Sequence, residues 1–253
     1  MKKILKRIIN YFSNKFYLKR QADTEFNPVI YYSLKSENKF LKIIGVFLPF
    51  FIRKRLSILI TNSRIVEEPF VFMNLDFPKE SKILDLGCCY SKISLQLASL
   101  GCKVTGVDLN KYNYRHPNFE FIRKDFLEVD FPDDYFDCVL SVSTIEHIGL
   151  DCYGGKVIEG GDKKTVEKIY RILKKGGKFI ITVPFGKAKL MEGQRVYDEN
   201  LLGQLLSSFQ IEKEKYFSYK EGSWLSAEKS FLADIDFSDN SQGVALLVCK
   251  KYE

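Results

Sequence analysis

From Lys82 onward the chain alternates short apolar segments with segments of helical spacing, and this pattern restricts the fold more than any other feature. Ile83–Leu86 reads as a strand, Ile93–Leu100 as a helix and Lys103–Val107 as a second strand, with Phe119–Arg123 and Phe136–Val142 as the third and fourth. Asp162–Lys174 carries acids early and lysines late, as a helix macrodipole favours, and Gly176-Gly177 should stop it. Lys178–Val183 is a fifth strand closed by Pro184. Asp198 should cap a helix over Leu201–Leu206, and Ile211–Phe217 and Val244–Val248 are the last strands. Strands that alternate with helices build a largely parallel sheet covered on both faces.

The charge is unevenly placed. Residues 1–60 hold 13 Lys and Arg against 3 acids, a balance of +10, so the remaining 193 residues sum to −3 of the net +7. We therefore expect a basic, aromatic-rich helical extension over 1–60 and the α/β domain over 61–253. Residues 1–20 place Leu5, Ile8, Ile9, Phe12 and Phe16 at helical spacing among seven basic residues, which suits either an anionic membrane surface or packing onto the domain. Residues 40–52 are apolar apart from one lysine, too short to span a bilayer, and Arg53, Lys54 and Arg55 follow. With no spanning stretch and no secretory leader, a cytoplasmic location is expected, peripheral at the inner face of a membrane if the extension binds lipid. The six cysteines form no CxxC pair and are expected as small buried side chains in a reducing compartment, not as disulfides or metal ligands.

Ligands on open parallel sheets bind beyond the carboxyl ends of the strands, which directs attention to the residues there. The first strand runs into Asp85-Leu86-Gly87-Cys88-Cys89-Tyr90-Ser91, where Gly87 permits a tight turn; without GxGxxG it gives no support to a nicotinamide site. Asp108, followed by Leu109, ends the second strand, where an acid can take two ribose hydroxyls. Asp125 ends the third, followed by Phe126; its carboxylate can accept from an exocyclic amine while the ring packs on the base.

Five segments in this order resemble the motifs of class I S-adenosylmethionine-dependent methyltransferases: Ile83–Gly87, Val104–Asp108, Lys124–Phe126, Tyr135–Ser141 and Leu173–Phe179. The resemblance covers about residues 80–217. It implies a Rossmann-like, doubly wound sheet of seven strands with the last antiparallel, and S-adenosyl-L-methionine as cofactor. By position it places Asp85, Gly87 and Cys89 beside the methionine moiety, Asp108 and Leu109 at the ribose, Asp125 and Phe126 at the adenine, and Ser141 near the amino-acid end. The chain departs from the family's glycine-rich loop at Cys89 and at Ser91; a side chain at Cys89 would strain the loop by about a kcal/mol if its φ were positive.

The acceptor should lie over Val142–Gly149, where His147 can take a proton from an attacking hydroxyl. Glu146 beside it, and Arg195 and Tyr197 after the fifth strand, are the candidate substrate-binding residues; Arg195 can hold a phosphate or carboxylate on the acceptor and Tyr197 offers a phenol at the same rim. The run Ser143–Gly149 with Arg195–Asp198 resembles methyltransferases of surface-polysaccharide and glycan biosynthesis, which implies a sugar or glycan-precursor acceptor. A catalytically inactive cofactor-binding scaffold and an RNA methyltransferase are the alternatives. Nucleic acid is disfavoured because the basic charge sits outside the domain and no Asn/Asp-Pro-Pro-Tyr/Phe segment follows the fourth strand.

Overall fold

A computed structural model describes residues 29–34, 57–220, 222–238 and 241–252. The chain divides into two compact units, Met1–Asn62 and Ser63–Glu253. In the first, strand β1 (Val29–Leu34) pairs antiparallel with β2 (Ser57–Thr61). The helix expected over residues 1–20 and the apolar run 40–52 lie outside the described residues.

The second unit opens with helix α1 (Arg64–Met73) and continues as β3 (Lys82–Leu86), α2 (Ile93–Ser99), β4 (Lys103–Asp108), β5 (Phe119–Arg123) and β6 (Phe136–Val142). After these come α3 (Gly161–Ile172), β7 (Leu173–Pro184), a small hairpin of β8 (Lys189–Met191) and β9 (Gln194–Val196), and α4 (Glu199–Leu205). The domain closes with β10 (Phe209–Lys220), β11 (Ser223–Ser226), α5 (Lys229–Ala233) and β12 (Gln242–Lys251). Asp198 caps α4 as expected, its Oδ1 accepting from the Leu201 amide at 2.8 Å.

One sheet carries the domain, in the order β11-β10-β12-β7-β6-β3-β4-β5. β5, β4, β3, β6 and β7 run parallel, and β12 lies antiparallel between β7 and β10. The sheet has eight strands where seven are expected. The extra one is β11, an edge strand pairing Trp224 with Tyr219, where the sequence pattern predicts no strand between Phe217 and Val244. α3 ends at Ile172, and Gly176-Gly177 do not cap it. They lie where β7 bulges between its pairings with Phe136 and Cys138, and a Cβ at Gly177 would meet the Lys174 carbonyl at 2.8 Å.

Alternation along each strand divides the core in two. Ile83, Leu140 and Ile180 pack with Phe70 and Val71 of α1 and Ile93 and Leu97 of α2; Leu84, Val139 and Ile181 pack with Val166, Ile169 and Ile172 of α3 and Leu202 of α4. Each fully buried Leu, Ile or Phe contributes about 1.5–3 kcal/mol. The chain leaves β3 towards β4 and β5, then returns to β6 on the other side. The strand order therefore switches beside β3, opening a crevice at the carboxyl ends of β3, β4 and β6. No helix among the described residues is long and apolar enough to cross a membrane.

Candidate active site

Asp85 lies near the end of β3 with its side chain towards α2, where Ser94 Oγ donates to its Oδ2 at 2.5 Å. Burial raises its carboxyl to about 6, against the lowering effect of the Ser94 bond. Gly87 follows with φ 78°, its amide bonded to the Val107 carbonyl at 2.9 Å. A Cβ there would lie 2.2 Å from Thr144 Oγ1, so the glycine admits the loop after β6 as well as the turn. The next residues, Cys88–Tyr90, form a single 3-10 turn. Cys89 is not among the non-glycine residues with positive φ, so the strain considered for a side chain there does not arise.

The turn aims the Cys89 amide at Asp108, whose Oδ2 accepts it at 2.9 Å, while Oδ1 accepts the Asn110 amide at 2.8 Å. Two backbone donors thus fix this carboxylate, and each oxygen keeps a second lone pair. Leu109 is partly buried beside it. Asp125 caps the short turn Phe126–Glu128, accepting from the Leu127 amide at 2.9 Å. Lys168 of α3 steadies that turn from below, donating to the carbonyls of Phe126, Leu127 and Val129. The Phe126 ring is buried against Phe131, with the Lys168 ammonium 4.8 Å from its centroid. It supports the Asp125 turn from within the core. Ser141, beside Leu86 in register, has a buried hydroxyl with no hydrogen-bond partner.

Beyond β6 the 3-10 turn Ile145–His147 carries the other titratable pair. His147 Nδ1 lies 2.5 Å from the Gly193 carbonyl at the tip of the β8–β9 hairpin. Since a carbonyl only accepts, this bond selects the Nδ1–H tautomer and leaves the Nε2 lone pair available. Burial lowers the imidazole's pKa, against the raising effect of the Gly193 bond. Glu146 is 1% exposed; its Oε1 stands 3.8 Å from His147 Nε2 and its Oε2 is buried without a partner. Burial pushes this carboxyl up to about 8. Tyr153, at φ 52°, sets its ring edge-on to His147 at 5.1 Å and lies 6.4 Å from the ring of Tyr90.

Arg195 and Tyr197 come to the same place but face inward. Arg195 donates to the carbonyls of Glu146 at 3.3 Å and Ile148 at 2.8 Å, and its Nε lies 3.6 Å from Asp162. Tyr197 is 3% exposed and donates to Asp162 Oδ2 at 3.0 Å. Arg195 thus ties the hairpin to the Glu146–His147 turn and to α3, and Tyr197 anchors to α3. Trp224 is on the far edge strand against Tyr219, well away from β6.

The sequence reading missed Glu67. It is fully buried in α1 and takes hydrogen bonds from the hydroxyls of Ser63, Ser143 and Thr182 and from Arg64. Arg64 also donates to the Val142 carbonyl at 2.8 Å, so α1 is fastened to the ends of β6 and β7. Ser143 is held at φ 45° within this network.

Residues 84–181 match the model of the methyltransferase domain family. Sterol 24-C-methyltransferase of Neurospora crassa is 26% identical over 124 residues, 44% of this chain and 30% of the relative, so the chain spans about a third of such curated relatives. A methyltransferase dependent on S-adenosylmethionine, from Methanosarcina mazei, superposes with a TM-score of 0.52 at 18% identity, covering 73% of this chain and 97% of that one. So does 1,6-didemethyltoxoflavin-N1-methyltransferase of Burkholderia thailandensis, bound to 1,6-didemethyltoxoflavin and S-adenosylhomocysteine, at 0.52 and 15%, covering 76% and 77%. The fold is that of the methyltransferases. Residues 84–181, the part that matches the methyltransferase domain family, run from β3 into β7 of that fold.

Proposed function

We propose that the chain transfers a methyl group from S-adenosylmethionine to a hydroxyl of a small acceptor such as a sugar or glycan precursor. Bound S-adenosylmethionine supplies an electrophilic methyl group on a sulfonium, already activated. The residues suit that group. Asp108 is pre-set by two backbone amides yet keeps lone pairs for a ribose diol, Asp85 and the Ser141 hydroxyl stand at the methionine end, and Asp125 stands where adenine would lie. Cys89 takes part through its amide, so its replacement of glycine leaves the loop competent and an inactive scaffold is the weaker reading.

His147 takes the acceptor proton at Nε2. The observation that carries this role is the Gly193 carbonyl at Nδ1, which fixes the tautomer, together with a pKa held down so that the ring is neutral when needed. Arg195 and Tyr197 position the turn that presents His147 and do not themselves hold acceptor. The enzyme's contribution is mainly proximity and removal of one proton. Transfer of radiolabelled methyl from S-adenosylmethionine to nucleotide-linked sugars, lipid-linked sugars and simple phenols tests this. Label in a sugar hydroxyl, lost in His147→Asn, supports the proposal. Label that appears on nitrogen, carbon or RNA and is indifferent to His147 overturns it. The peripheral membrane role proposed for residues 1–60 is tested by sedimentation with anionic liposomes, which removal of residues 1–20 should abolish.

A further inference from the structure

The turn after β3 sets two cysteines side by side, and the fold brings a carboxylate to them from β4. The Sγ atoms of Cys88 and Cys89 and a carboxylate oxygen of Asp108 all lie within 4.8 Å of one another. We propose that Cys88, Cys89 and Asp108 form a binding site for a soft divalent cation of the zinc and cadmium type, and that cation and cofactor exclude one another there. The exclusion rests on the proposed role of Asp108 as ribose ligand; the metal site does not.

Thiolate sulfur selects soft d10 cations, and a tetrahedral zinc with bonds of about 2.3 Å to sulfur separates its sulfur ligands by about 3.8 Å. The three ligand atoms, all within 4.8 Å of one another, lie near that spacing. The ligands are also held in advance. Asp108 is fixed by the Cys89 and Asn110 amides, and Cys88 Sγ occupies space left by Gly106, where a Cβ would lie 2.7 Å from it. Among the described residues no other group of three such side chains is as close. Cys102, Cys138 and Cys249 are buried without cysteine neighbours in sequence, and Cys152 Sγ donates to the His147 carbonyl.

The proton balance favours a divalent ion. Each S–H gives its proton to solvent as a metal–sulfur bond forms, so two positive charges enter as two leave. The charge of the buried turn is unchanged. Because metal binding displaces the thiol protons, affinity should rise with pH. Water from the crevice completes the fourth position.

The test is titration of the reduced, metal-free full chain with Cd2+, following the cadmium–thiolate ultraviolet band and proton release in weak buffer. One equivalent should saturate the band with two protons released, and Cys88→Ser and Cys89→Ser should each weaken binding by about tenfold or more. Bound S-adenosylhomocysteine should raise the apparent Kd for Cd2+. Binding unaltered in both variants, or without proton release, overturns the site. If a cysteine variant fails to fold, Asp108→Asn replaces it and should weaken Cd2+ while keeping both thiols; unchanged binding there counts against the site. Simultaneous binding of Cd2+ and S-adenosylhomocysteine overturns the exclusion alone. Failure of the unaltered chain to bind S-adenosylhomocysteine sinks the cofactor reading and leaves the cadmium result to judge the metal site.

Discussion

At the ends of β3, β4 and β5 the acids are held locally: Asp108 by the amides of Cys89 and Asn110, Asp125 by the Leu127 amide, Asp85 by Ser94 on the following helix. At the ends of β6 and β7 the polar groups are held by distant elements: His147 by Gly193, Glu67 by Ser143 and Thr182, Glu146 and Ile148 by Arg195. In the first arrangement Asp108 keeps a lone pair on each oxygen, while Asp85 is buried against Ser94. The second consumes most of its donors internally and leaves the His147 lone pair and the Glu146 carboxyl. On the proposed function, one half of the crevice holds the cofactor and the other presents a base.

The largest effect should come from the base. His147→Asn should lower kcat by roughly 10^2–10^4-fold with little change in S-adenosylhomocysteine affinity, measured by steady-state kinetics and calorimetry. An equal loss in both would erase the distinction between the two halves. Next is Gly87→Ala, which puts a Cβ on Thr144 at a positive φ and joins the halves in one defect. It should destabilise the domain by about 2–4 kcal/mol in denaturant unfolding. Arg195→Ala removes the donor to two carbonyls and the ion pair with Asp162, and should cost about 2 kcal/mol of stability. A raised KM at unchanged stability would restore Arg195 as an acceptor ligand.

An effect of similar size is confined to high pH. Glu146 goes from 4.5 unfolded to about 8 folded, so the stability its protonated form lends is complete below about 4.5 and is lost as pH rises through about 8. Asp85, raised to about 6, acts in the same direction over a lower window. His147, lowered by burial and facing Arg195, Glu146 and Gly193, acts oppositely and loses its contribution as pH falls. Glu146→Gln should therefore melt near the unaltered protein at pH 5 and above it at pH 9, by about 1–3 kcal/mol or roughly 2–4 °C per kcal/mol. Parallel melting curves at both pH values would show that Glu146 titrates normally.

The same comparison explains what the sequence made legible. The strand alternation and the acids at strand ends could be read because backbone turns a few residues long determine their geometry. Asp108 is 19 residues from Cys89, yet the register of β3 on β4 brings them together predictably. Glu67 gave no signal, since Arg64 and Glu67 at i, i+3 look like a surface pair and their burial depends on residues 76 and 115 positions away. The bonds of Arg195 to the Glu146 and Ile148 carbonyls and of Tyr197 to Asp162 gave no signal either, because sequence does not show which way a side chain turns. β11 escaped because four residues with one tryptophan carry too short a pattern.

The central claim is that Asp108 and the turn after β3 form the cofactor site. Calorimetric titration with S-adenosylhomocysteine, on the unaltered chain and on Asp108→Ala, tests it most directly. The account predicts saturable one-site binding that the substitution weakens by roughly tenfold to a hundredfold in a protein that still melts cooperatively. Equal binding by both, or none by a well-folded unaltered chain, would contradict it.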